Sequence, residues 1–359
     1  MASPTVSLVL GSGGARGYAH IGAIEELLAQ GYDIRCIAGS SMGALVGGVY
    51  AAGKLDAYRD WVLTLQRFDV LRMLDWTFRG GGLIKGNRII EKLRELIGDV
   101  RIEDLPLSYT AVAVDLRAQR EVWFSRGSLF EAIRASIAIP AVFRPHHYQG
   151  RTLVDGGLLN PVPVTPTLRD LTDCTIAVDV NAPAQTRSDG GLLHPAAAEL
   201  TPIDDGSSDP GHESDVAARS SLAQSNAFAT ELDTNEFVTD EGLANESAPG
   251  ESAIIELPTI KRSYRQVVAD FFGRLKVRRG DKPALSADPG LLEAFALSLD
   301  AVQETVTRFK LAAQPPDLLV SIPRTACAFY EFHRAAELVE LGRERTRAAL
   351  RNFEPPRRS

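Results

Sequence analysis

The sequence predicts an α/β domain built on a mainly parallel sheet covered on both faces. Two observations carry this. From residue 6 to residue 180 short apolar runs alternate with segments of helical spacing, and the first two runs end in glycine-rich turns that open helices. With 359 residues and 45% hydrophobic content, the chain has ample material for a sizeable core.

Val6, Leu8, Val9 and Leu10 form the first apolar run. GSGGARG follows at residues 11–17, and then Ile21, Ile24, Leu27 and Leu28 recur at helical spacing. Such a turn aims backbone N–H groups and the positive end of a helix dipole at negative charge, a phosphate or an oxyanion. A dinucleotide fingerprint would need glycine where Arg16 stands, and a phosphate-binding loop would need G-K-[ST] at its end; the sequence has neither. The second run, residues 34–38, leads into GSSMG at 39–43 and a small-residue helix over 44–52. G-x-S-x-G between strand and helix is a nucleophile elbow, which presents the Ser41 hydroxyl and needs Gly39 and Gly43 where a Cβ would collide. Beside such an elbow, an oxyanion hole made by the amides of Gly13 and Gly14 is the better use of the first turn.

Residues 110–116 and 121–125 then read as a hairpin and 129–137 as a helix. His146 and His147 stand before a strand, and 175–180 is a strand. LVDGGLLNPVPV at 153–164 puts Asp155 at the end of an apolar strand with Gly156 and Gly157 behind it, so the chain turns tightly and leaves the carboxylate facing a cleft. A plain turn explains the same residues. Its place after the glycine turn and the serine elbow makes Asp155 the candidate base.

The blocks GSGGARGYAHIGAI, GSSMGALVGGVYA, RASIAIPAVFRP and LVDGGLLNPVPV, with EFHRAAELVELGRE as a weaker echo, resemble the bacterial patatin-like phospholipases, close to the neuropathy-target-esterase branch. The resemblance is dense over 6–180 and loose over 316–342. It implies a three-layer α/β/α patatin-like fold and a Ser–Asp dyad that hydrolyses fatty-acyl esters without a catalytic histidine. Carried over by position, Ser41 is the nucleophile, Asp155 the base, and Gly13 and Gly14 the oxyanion amides. Gly39, Gly43 and Gly157 support them. Arg16 matches the basic residue of the family's turn and holds the loop or adds positive potential, while Ser12 stands where the family usually has glycine. Neither cofactor nor metal is expected. Two rivals stay open: a Ser-His-Asp esterase, whose chain order Ser41, Asp155, His333 fits formally, and a non-catalytic regulatory or adaptor protein on the same fold.

A net charge of −7 and a pI near 5.5 argue against a nucleic-acid partner. Cys36, Cys174 and Cys327 read as buried reduced thiols of a cytosolic protein. The first strand leaves no room for a secretion signal, and no run approaches the roughly 20 apolar residues of a bilayer span. The expectation is a cytoplasmic enzyme whose lipid substrate brings it into peripheral contact with the inner membrane face. Trp61, Leu65, Phe68, Leu71, Met73, Leu74, Trp76 and Phe78 could line an acyl channel or interfacial face, though core packing explains them more simply. The six histidines have no ligand spacing and read as surface or structural residues.

Three stretches are expected: a catalytic core over 5–183, an acidic low-complexity insert over 184–253 with the composition of disorder, and 254–355 completing the domain. The last would hold helices at 264–276 and 291–310, a strand at 318–322 and a terminal helix over 330–353 with a solvated, salt-bridged face.

Overall fold

The computed structural model describes residues 3–69, 82–84, 87–183 and 291–356. The acidic insert, the helix expected at 264–276 and residues 70–78 of the Trp61 stretch lie outside the described residues.

In chain order the elements begin β1 (Thr5–Leu10), α1 (Ala19–Ala29), β2 (Asp33–Ser40), α2 (Met42–Ala51), α3 (Leu55–Thr64), β3 (Gly82–Ile84), α4 (Asn87–Ile97), β4 (Ser108–Asp115) and β5 (Arg120–Phe124). They continue α5 (Leu129–Ser136), β6 (Ala141–Phe143), β7 (His146–Tyr148), β8 (Arg151–Asp155), β9 (Cys174–Ala182), α6 (Leu291–Ala313), β10 (Leu318–Pro323) and α7 (Ala335–Leu350). The main sheet runs β10-β9-β1-β2-β4-β8-β7, with β5 also on β4, and β3 pairs with β6 apart from it.

Side-chain alternation divides the sheet's two covers. Val6, Leu8 and Leu10 of β1 and Ile176 and Val178 of β9 pack with residues of α1, α2 and α7. Val9 and Ala177 point the other way, to Val162, Val164 and Leu311 of α6. Burial on both faces is why these strands are apolar throughout rather than alternating. Helix α2 is buried almost all round, which its glycines and alanines permit. Helix α7 lies along α1, and Arg343 and Arg347 reach Glu25 at 2.5 Å and Glu26 at 2.7 Å. Part of the basic face expected to be solvated is therefore paired across helices. Trp61 packs on Tyr58 at the core margin, whereas Phe68 is exposed.

The sheet is mainly parallel, as expected, and carries an antiparallel flank. β10–β9, β9–β1, β1–β2 and β2–β4 are parallel, but β4–β5, β4–β8 and β7–β8 are antiparallel. For β7–β8 the cause is connection length. Gln149 and Gly150, at φ 47° and 74°, link β7 to β8, and so short a link can only reverse the chain. His146 and His147 thus lie within β7 rather than ahead of a strand, and His333 sits in a 3-10 turn, Phe332–Arg334, before α7 rather than in it.

One pairing positions the site. β5 occupies one edge of β4 over Ala111–Asp115, so β2 and β8 share the other edge, arriving from opposite ends. Ser40 lies opposite Val112, and Asp155 lies opposite the next residue, Ala113.

Candidate active site

Ser41 leaves β2 and heads α2 with φ 54° and ψ −122°. A non-glycine residue held there costs on the order of 1–3 kcal/mol, so its surroundings must enforce it. Its N–H donates to Ser136 Oγ at 2.9 Å, and that hydroxyl donates to Val112 O at 2.6 Å, tying the elbow to β4. A Cβ on Gly43 would stand 2.0 Å from Leu10 O, so only glycine lets the turn rest on the end of β1. Gly39 is likewise pressed against the Ala44 amide. Ser136→Ala should strand the buried Ser41 N–H and lower stability by about 1–3 kcal/mol in urea unfolding. An unchanged unfolding midpoint would remove Ser136 from this account.

Asp155 is buried at the end of β8. Its Oδ2 accepts from Ser41 Oγ at 2.5 Å and its Oδ1 from the Gly157 N–H at 2.7 Å. Burial pushes the Asp155 carboxyl up to about 7, against the opposing pull of the Ser41 and Gly157 hydrogen bonds. Its stabilising contribution is therefore complete below about pH 3.8 and is lost as pH rises through about 7.

The glycine turn comes close to this pair at Gly157, where a Cβ would stand 2.7 Å from Ser12 Oγ and 3.0 Å from Asp155 Oδ1. Gly11 N–H donates to Val178 O at 3.0 Å, Ser12 N–H to Pro161 O at 2.8 Å and Ala15 N–H to Phe329 O at 2.8 Å. Among the described residues the Gly13 and Gly14 amides carry no backbone hydrogen bond. Gly14 has φ 55°, and a Cβ there would meet Phe329 O at 2.4 Å. Buried Arg16 sets Nε on Gly13 O at 3.3 Å and Nη1 on Arg324 O at 3.0 Å. The Ser12 hydroxyl is buried with no partner among the described residues.

The described histidines stand apart. His20 Nε2 lies 2.8 Å from Gly11 O, and because a carbonyl only accepts, Nε2 carries the proton. Burial pushes the His20 pKa down to about 4, leaving the ring neutral near pH 7. His333 Nε2 accepts from Arg67 Nε at 3.1 Å, and His146 lies 2.7 Å from Glu131. Among the described residues, no histidine is hydrogen-bonded to Ser41 or Asp155.

The structure thus joins Ser41 to Asp155 and sets Gly13, Gly14 and Arg16 in one turn. Sequence reasoning missed Ser136, Asn181 and the carbonyls of Pro161, Arg324 and Phe329. RASIAIPAVFRP is legible as a block, but nothing in it singles out Ser136, and backbone acceptors leave no mark on residue type.

This combination of fold and serine elbow defines the patatin-like class, and residues 8–168 match the family model described as patatin-like phospholipase. An uncharacterized NTE family protein of Mycobacterium tuberculosis is 40% identical over 352 residues, covering 98% of this chain and 93% of the relative. The chain belongs to this NTE family of patatin-like phospholipases. Neuropathy target esterase sws of Drosophila persimilis is 31% identical over 166 residues, which is 44% of this chain and 12% of that protein. The crystal structure of VipD from Legionella pneumophila aligns with a TM-score of 0.34 at 15% identity, over 52% of this chain and 51% of that one. Members of the family are generally carboxylic ester hydrolases with lipid substrates. Among the described residues, no helix is long and apolar enough to cross a membrane.

Proposed function

We propose that the chain is a serine acyl hydrolase that cleaves phospholipid, lysophospholipid or another long-chain carboxylic ester with a Ser41–Asp155 dyad. The carrying observation is the direct 2.5 Å hydrogen bond from Ser41 Oγ to Asp155 Oδ2, with no imidazole between them.

Ser41 Oγ attacks the ester carbonyl while its proton passes to Asp155 Oδ2. The Gly13 and Gly14 amides, with the positive end of α2 behind Ser41, stabilise the oxyanion. Collapse expels the alcohol, which takes the proton from Asp155. Water then attacks the acyl-serine, Asp155 accepts its proton, and the second collapse returns that proton to Ser41 and releases the fatty acid. A carboxylate at its ordinary pKa would be a weak base here. One raised to about 7 is matched to work near neutrality.

The pH dependence follows with a definite sign. Asp155 must be ionised to accept the proton, so kcat/KM should rise with pH along a limb of apparent pKa about 7. A limb below pH 5 would contradict a buried base. The broader test is an activity screen over monoacyl and diacyl glycerophospholipids, paired with labelling by a serine-directed fluorophosphonate and with Ser41→Ala as control. A chain that neither labels nor hydrolyses any of these esters would be a scaffold and not an enzyme.

A further inference from the structure

The two amides assigned to the oxyanion hole belong to successive peptide groups, and a side chain holds each group by its carbonyl. A trans peptide is planar with its C=O and N–H pointing in opposite directions, so holding one fixes the other. The Ser12–Gly13 peptide offers its carbonyl to Asn181 Nδ2 at 2.8 Å, and the Gly13–Gly14 peptide offers its carbonyl to Arg16 Nε at 3.3 Å. We propose that Asn181 is a positioning residue for hydrolysis: by holding Ser12 O it aims the Gly13 N–H at the developing oxyanion. The proposal rests on the acyl-hydrolase reading above.

Several observations support the assignment. Only a donor can face a carbonyl, so the Asn181 amide is oriented with nitrogen toward Ser12. Asn181 is anchored at the end of β9, the strand beside β1, where its own N–H donates to Asp179 Oδ1 at 2.9 Å. Ser12 is also pinned through its N–H by Pro161 O at 2.8 Å, so the peptides on both sides of that residue are tied. The turn packs so closely on β9 that a Cβ on Gly13 would lie 2.3 Å from Val180 Cγ2, so only glycine fits there. With the donor removed, the Ser12 carbonyl must rotate to find another partner, and the Gly13 N–H rotates with it. Aspartate of the same shape would be worse: it sets acceptor against acceptor and adds negative charge beside the oxyanion.

The test uses Asn181→Ala and Asn181→Asp in the full chain, with active sites counted by end-point fluorophosphonate titration and p-nitrophenyl butyrate as substrate. Losing one oxyanion donor outright costs a hundredfold to a thousandfold. Misaiming one should lower kcat per titrated site on the order of tenfold in Asn181→Ala and on the order of a hundredfold in Asn181→Asp. KM should stay within about twofold, and the inhibition constant of butylboronic acid, a tetrahedral mimic, should rise in step with the loss in kcat. A merely structural Asn181 would lower the melting temperature or the titratable fraction and leave kcat per site and boronate affinity at parent values; that result overturns the proposal. So does a loss expressed in KM alone. If Ser41→Ala hydrolyses at the parent rate, the hydrolase reading falls and this one with it. If Ser41→Ala is inactive while both Asn181 variants match the parent, only the positioning role falls.

Discussion

Replacing Ser41 with alanine is expected to lower ester hydrolysis by on the order of 10⁴-fold or more while leaving the fold intact, as loss of a serine nucleophile does in other hydrolases. Among the described residues the side chain makes one hydrogen bond, to Asp155, and the elbow is held by its backbone through Ser136 and by the close seat of Gly43 on β1. Asp155 loses a donor but escapes the cost by keeping its proton, which its burial already favours. Turnover of p-nitrophenyl butyrate with circular dichroism on the same samples decides it. An alanine variant working at the parent rate would remove Ser41 from the chemistry.

Asp155→Asn should be almost as damaging, because an amide of the same shape cannot take the hydroxyl proton. This variant also separates the dyad from a Ser-His-Asp triad. His333 is engaged with Arg67, and His333→Ala should retain most activity. His20 is fully buried against Gly11 O, so alanine there would open a cavity beneath the glycine turn; His20→Gln keeps a donor and is the fairer variant, again with most activity expected. In a triad the histidine carries the proton and its loss costs several orders of magnitude. A folded, inactive His333→Ala beside an active Asp155→Asn would sink the dyad.

Much of this site could be read in the sequence, because its strongest constraints are local. A strand, a turn that tolerates no Cβ and a following helix all lie within a few residues, which is why Gly13, Gly14 and Ser41 stood out, and Asp155 stood out by its place before two glycines. What escaped notice depends on partners far along the chain. The two-residue period of β8 says which face Asp155 takes but not which strand it pairs with. Gln149-Gly150 lacks the usual Asn-Gly signal, so β7, its antiparallel flank and the place of His146 and His147 within it leave little trace in the sequence. Asn181 at a strand end resembles any turn asparagine until Ser12 O is found opposite it.

The abutment of β2 and β8 on a single edge of β4 separates what is inherited rigidly from what is free to vary. Ser41 and Asp155 are 114 positions apart, yet the strands that carry them are seated on two successive residues of one strand, Val112 and Ala113 of β4. Connections that leave and rejoin outside those pairings can lengthen, shorten or change composition without moving the hydroxyl from the carboxylate. A slip of one residue in the short β4–β8 ladder would instead turn Asp155 to the opposite face. The Ser41–Asp155 pair therefore tolerates almost no drift in register, while the loops around it can be rebuilt, and such a scaffold can change what it accommodates without disturbing the contact between hydroxyl and carboxylate.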